Sequence, residues 1–316
     1  MTKPGKPARL GFFTELDAAP LAALVRTPGL FSQLRALDAH VTVGLRCLSE
    51  DRARSVRALR DAGVRAGAWL LLPREHGYFA TWDNHAHVVT RVEQFRAWAH
   101  QHRLDFDVLG LDFEPPLEEL DVFFERPLRA MGRWARRSLD RDRRARALDQ
   151  YQALVRSLRA EGLELESYQF PLLLEDRAAQ SHFFQRFVSS LDVDVGREVL
   201  MVYSSLLGPL GPGLTERWTR DPASPARPRA IAVGSTGGGI DPLPKLSFDE
   251  LARDLRLAAR ASDDVRVFSL EGCVEHGHLE RLIDLDWSAP VSVSTWQRAG
   301  AKALGTTARA LATLMR

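Results

Sequence analysis

Eight short, mainly apolar stretches of this chain read as strands, and most of the intervening sequence carries helical spacing. Val41, Val43 and Leu45 alternate over residues 40–46 and predict a strand ending in Arg46. Strand-like runs also fall at residues 10–16, 64–72, 107–114, 163–171, 199–205, 230–235 and 265–271. Helical spacing covers 21–25, 30–37, 55–62, 88–102, 128–160, 181–191, 248–261 and 296–315, with Gly63 as a left-handed stop after the third. Residues 208–229 hold many Gly and Pro and read as a long surface loop. Eight strands alternating mainly with helices predict a single (β/α)8 TIM barrel, with an open doubly wound sheet as the alternative. The division expected is a flexible N-terminal tail over residues 1–9 and a barrel domain over 10–316.

The fourth strand carries the chemistry. Asp107 opens the run Asp-Val-Leu-Gly-Leu-Asp-Phe-Glu, which places Asp112 and Glu114 two residues apart before Pro115 and Pro116. Side chains at i and i+2 of a strand share a face, so the two carboxylates project side by side. The prolines lack N–H donors and stop the strand. Carboxylates at the end of an apolar strand are costly unless paired or shifted in pKa, which marks them as candidate catalytic groups.

Composition narrows the remaining choices. The 316 residues are 45% hydrophobic, enough for one large core, and the formal net charge is only +2. Arg136, Arg137, Arg141, Arg143, Arg144 and Arg146 are interspersed with Asp140, Asp142 and Asp149, without alternating aromatics. That pattern reads as a solvated helix face, and no nucleic-acid partner is expected. Cys47 and Cys273 lie far apart, which suggests neither a zinc site nor a disulfide framework. No apolar run has membrane-span length and no signal-peptide pattern precedes Leu10, so a cytoplasmic chain without membrane contact is expected. Oligomeric state stays open.

In a (β/α)8 barrel the active site forms at the C-terminal ends of the strands. Those ends supply Glu15, Arg46, Asp112 with Glu114, Gln169, Tyr203 with Ser204, Ser235 and Glu271. The loop after strand three adds Tyr78, Trp82, Asp83 and Asn84. Carboxylates, amides and aromatic faces around one mouth suit a carbohydrate substrate. Glu114, Asp112 and Glu271 are the catalytic candidates; Tyr203, Arg46, Gln169, Trp82, Asp83, Asn84 and Glu15 are the candidate substrate-binding residues.

At these residues the chain resembles the chitinase-like glycoside hydrolases of family 18, whose fourth strand ends in a run of aspartates before a catalytic glutamate. Asp107, Asp112 and Glu114 match the first and last aspartates and the acid; Met201-Val202-Tyr203 is similar to that family's Met-x-Tyr motif. The resemblance implies a glycosidase with Glu114 as general acid and Tyr203 holding substrate. The sequence departs from the motif at Gly110, where a middle aspartate is usual, at Ser204, where an acid follows the tyrosine, and at Glu271, where strand eight usually carries tryptophan. The thinned aspartates argue against assistance by a substrate acetamide. Glu271, on strand eight, is then the expected partner of Glu114 in a two-carboxylate, metal-free and cofactor-free hydrolysis, and Glu15 and Glu175 are weaker candidates for that place.

Two other readings compete. Glu271, His276 and His278 cluster after strand eight and suggest a metal-dependent barrel isomerase or hydrolase. The turn Gly234-Ser235-Thr236-Gly237-Gly238-Gly239 stands where barrels often bind phosphate. A non-catalytic chitinase-like carbohydrate-binding protein is the other alternative, which Glu114 argues against.

Overall fold

A computed structural model describes residues 5–126, 129, 132, 134, 135, 140–221, 228–238 and 244–316. Its eight strands are β1 (Arg9–Thr14), β2 (Ala39–Leu45), β3 (Ala66–Leu70), β4 (Leu109–Asp112), β5 (Leu165–Gln169), β6 (Arg197–Val202), β7 (Arg229–Gly234) and β8 (Asp264–Phe268). They pair in sequence order as a closed parallel barrel, sealed by β1 against β8 from Arg9↔Asp264 to Phe13↔Phe268. The expected (β/α)8 barrel is therefore the fold.

The alternation sorts each strand into an outer and an inner face. Val41, Val43 and Leu45 point outward and join Val56 and Leu59 of the helix Glu50–Asp61 in the main core. Phe13, Trp69, Tyr168, Met201, Ala232 and Phe268 form a second cluster inside the lumen. Near its lower end the lumen holds an ion pair. Arg266 donates to Asp264 at 2.7 Å and to Glu166 at 3.2 Å, and Glu166 also accepts from the Tyr168 hydroxyl at 2.8 Å.

Residues 208–229 correct the expectation of a surface loop. Gly211–Thr219 is a helix whose Leu214 and Trp218 are buried. A Cβ at Gly213 would lie 2.3 Å from the carbonyl oxygen of Gln297, so glycine is what lets this helix meet the C-terminal helix Thr295–Leu314. Arg298 and Glu216 clamp the same junction at 2.6 Å. Residues 222–227 lie outside the described residues. A second helix that spacing missed, Leu172–Ala179, follows β5.

Of the arginine-dense stretch, Arg141–Ala160 is a helix, while Arg136 and Arg137 lie outside the described residues. Arg144 departs from the solvated-face reading, being buried against Gln185 at 2.8 Å. Of the N-terminal tail, residues 1–4 lie outside the described residues; Lys6 donates to the Leu37 carbonyl at 2.7 Å. Among the described residues no helix is long and apolar enough to cross a membrane.

Candidate active site

β4 ends at Asp112, and the double proline leads into the helix Leu117–Glu125. The chain stays extended for one more step, since the Phe113 amide still donates to the Tyr168 carbonyl at 3.2 Å. Glu114 thus stands beyond the strand, half-buried, at the mouth of the barrel. Asp112 is buried inside it and accepts from the Trp69 indole at 3.0 Å. Burial, followed by the charge of Glu114, holds Asp112 well above the usual carboxylate range. Burial, followed by the charge of Glu15, pushes Glu114 up to about 8. Two acids in this position cannot easily ionise together, so a proton is retained on the pair at neutral pH.

Gly110 has a structural explanation. A Cβ there would lie 1.9 Å from the Tyr168 hydroxyl, which is fixed by Glu166. Tyr168 fills the space a middle aspartate would need. Asp107, exposed, precedes β4 and pairs with the half-buried Arg60 at 3.5 Å, away from the strand end that bears Asp112.

Glu15, one residue past β1, is the carboxylate that joins Glu114. Both line the same cavity. Burial raises the Glu15 pKa, and a hydrogen bond donated by the Tyr78 hydroxyl offsets part of that rise, as does the nearby Arg46. Arg46 is half-buried, donates to the Glu15 carbonyl at 3.4 Å, and lies 5.8 Å from the Tyr78 ring centre. Tyr203 completes the group. Burial, then the charges of Glu114, Asp112 and Glu15, keep its phenol protonated, so it is a donor at the acids.

Glu271 is not on strand eight. β8 stops at Phe268, and Glu271 lies in the first turn of the helix Leu270–Glu275, capped by Ser269. Its Oε1 accepts from the Glu15 amide at 3.2 Å and faces Gly238, where a Cβ would come within 2.4 Å. Glu271 therefore supports the backbone of Glu15, and it is absent from the wall of the cavity that Glu114 and Glu15 share. Burial pushes its pKa up to about 7.

The cavity measures about 610 Å³. Its floor is the lumen cluster: Phe13 meets Trp69 and Tyr168 edge-on at 5.7 and 5.1 Å, and Phe268 lies 5.7 Å from Tyr203. Ser235 of the Gly-rich turn borders it, while Gly239 lies outside the described residues.

Several sequence candidates spend their polar groups on the fold. Gln169 is fully buried and donates to the Leu191 carbonyl at 2.9 Å; Trp82 donates to the Ser190 carbonyl at 3.1 Å. Asn84 staples its loop, donating to the His76 and Phe79 carbonyls and accepting from the Thr81 amide and the Tyr151 hydroxyl. Asp83 is exposed and pairs with Arg143 at 2.5 Å. Ser204 donates to the buried Asp254 of the helix Phe248–Ala259. Glu175 is enclosed by Arg217 at 2.7 Å and Arg309 at 3.1 Å. His278 packs on Phe248, and among the described residues no three His, Cys, Asp or Glu side chains gather as ligands for an ion.

No family model and no curated protein matches this chain. Among solved structures, a chitinase from Chromobacterium violaceum has a similar fold, at 12% identity and a TM-score of 0.50 over 89% of this chain and 99% of that one. The PgaB (BpsB) glycoside hydrolase domain from Bordetella bronchiseptica gives 12%, a TM-score of 0.49 and the same 89% and 99% coverages. A D-allulose 3-epimerase from Methylomonas sp. gives 12% and 0.44 over 98% of this chain and 100% of that chain. At this identity the likeness to the chitinase speaks for the barrel alone.

Proposed function

We propose that the chain is a carbohydrate-active enzyme, a glycoside hydrolase in which Glu114 is the general acid and Glu15 the second carboxylate. The observation that carries this reading is the grouping of Glu114, Asp112 and Glu15 at the barrel mouth, with Glu114 holding its proton at neutral pH. In the reaction, Glu114 gives its proton to the glycosidic oxygen as the bond to the anomeric carbon breaks. Glu15 either adds to that carbon or takes a proton from the water that does, depending on how far apart the two carboxyls stand around the sugar. Burial and the charge of Glu15 keep the proton on Glu114, and Tyr78 and Arg46 favour the ionised form of Glu15. The Tyr203 hydroxyl is placed to donate to the sugar or to the acids.

This arrangement modifies the expected pairing of Glu114 with Glu271, because Glu15 lines the strand-end part of the cavity beside Glu114, whereas Glu175 lines it further out and is paired with two arginines. A panel of aryl glycosides, with and without N-acetyl groups, tests the reading in the unaltered protein and in Glu114→Gln, Glu15→Gln and Glu271→Gln. Removing the acid should cost about 10²–10⁴-fold in kcat, and the Glu15 change should cost more than the Glu271 change. Turnover in Glu114→Gln within a few-fold of the parent would refute the assignment. Glycan binding without turnover in the unaltered protein would favour a carbohydrate-binding protein, and activity abolished by chelator and restored by a divalent ion would favour a metal enzyme.

A further inference from the structure

The cavity is much larger than its acidic end and is built from a different chemistry. Its polar wall groups are Glu175 and Thr307 further out, and Glu15, Glu114, Tyr203 and Ser235 at the strand ends. From there it runs outward between Phe184, Val188, Leu207, Leu214, Leu304 and Leu311, which are entirely apolar. The one carboxylate on that outer stretch, Glu175, is 1% exposed and neutralised by Arg217 and Arg309, with the Trp218 indole at 3.4 Å. A sugar chain carries hydroxyls on every residue, and those hydroxyls would lose their water against such walls without gaining partners.

A second observation extends the apolar path to the surface. Among the described residues the large hydrophobic side chains left exposed are Trp296, Leu304, Leu311, Leu314 and Met315, all on or just after the C-terminal helix Thr295–Leu314. At 100° per residue these five positions fall within one arc of about 100°. Leu304 and Leu311 are 48% and 43% exposed and also line the cavity, so they form its rim. The stripe is continuous from solvent, over that rim, to the carboxylates.

Resting on the hydrolase reading above, we infer that the substrate is amphiphilic: a glycoside whose sugar meets Glu114 and Glu15 and whose hydrocarbon aglycone fills the outer cavity. The leaving group protonated by Glu114 is then the alcohol of that apolar chain. A cavity of about 610 Å³ lies within the range of roughly 300–1,000 Å³ typical of sites that enclose a small apolar ligand and orient it by a few polar groups.

The test reads binding rather than cleavage. Glu114→Gln is titrated by calorimetry with n-alkyl β-D-glucosides from methyl to octyl, each below its critical micelle concentration. Affinity should rise about fourfold for each added methylene until the cavity is full. Leu304→Glu and Leu311→Glu, at half-exposed positions that tolerate a polar group, should flatten that rise. Octyl glucoside binding no more tightly than methyl glucoside would overturn the inference, as would a steep rise untouched by either rim change. Chain-length-dependent binding with no glycoside cleaved by the unaltered protein would keep the amphiphile and remove the hydrolase reading. Cleavage of aryl glycosides with chain length irrelevant to KM would keep the hydrolase and remove the amphiphile.

Discussion

Two clusters of buried acids occupy the same barrel lumen and are treated in opposite ways. At the lower end, Glu166 and Asp264 close on Arg266, and Tyr168 takes up the remaining Glu166 oxygen. At the upper end, Asp112, Glu114 and Glu15 face one another; Asp112 has an indole N–H and Glu15 a phenol as partners. The lower acids are matched by a cation, whereas Asp112 and Glu114 are accommodated by keeping protons. A buried carboxylate with its own arginine is a strut. One whose neighbours are other carboxylates has its titration moved toward the working pH, where a proton can be given and recovered.

The largest effect that separates the two ends is chemical. Glu114→Gln should lower kcat by about 10²–10⁴-fold while leaving the circular dichroism spectrum unchanged. The lower cluster should respond in stability instead: Arg266→Met strands Glu166 and should cost about 3–5 kcal/mol, read as an earlier denaturant midpoint. Turnover per folded molecule should then change only a few-fold. If Arg266→Met abolishes turnover in protein that is still folded, the two ends are coupled and the contrast fails.

Smaller effects sharpen the contrast through pH. Glu114 must be protonated to act, so activity should fall as pH rises through about 8. Glu15→Gln removes the negative charge that raises Glu114, lowers the Glu114 pKa, and should move that alkaline limb of the residual activity to lower pH. An unmoved limb would separate the two acids. Stability carries the same sign. A carboxyl whose folded pKa lies above its unfolded value near 4.5 binds more protons when folded, so stability is lost as pH rises toward about 8. Glu114→Gln should therefore melt higher than the parent at pH 8, by several degrees, and match it near pH 4. The smallest change is expected from Glu271→Gln, which loosens the backbone of Glu15 without removing a group from the cavity wall; its effect on kcat should stay below about tenfold.

The barrel was legible because eight short apolar runs recur between mainly helical segments, and because Pro115 and Pro116 mark where β4 must stop. Asp112 and Glu114 stood out for the same local reason. What escaped depends on partners distant in sequence. Nothing near Gln169, Trp82 or Asn84 announces that Leu191, Ser190, His76 and Phe79 absorb their polar groups. Gly110 looked like a lost aspartate until Tyr168 was seen in its place. Residues 211–219 read as loop because Gly and Pro dominate them, yet those glycines are what a helix needs to lie close to another backbone. Glu15 was one candidate among several until closure of β1 beside the other strands placed it next to Glu114.

The C-terminal helix has a consequence for how the protein is made. β1 is synthesised well before its second partner, β8, which is complete only at Phe268, and the cavity rim at Leu304 and Leu311 follows later still. Chains fold as they leave the ribosome, N-terminal parts first. Most of the sheet is therefore made before the wall that completes the cavity, and until Thr295–Leu314 docks on Gly211–Thr219 the nascent chain lacks the cover for Leu214 and Trp218. A chain cut after residue 290 would hold all eight strands with the apolar flank open, the form on which a chaperone that recognises hydrophobic surface should be found.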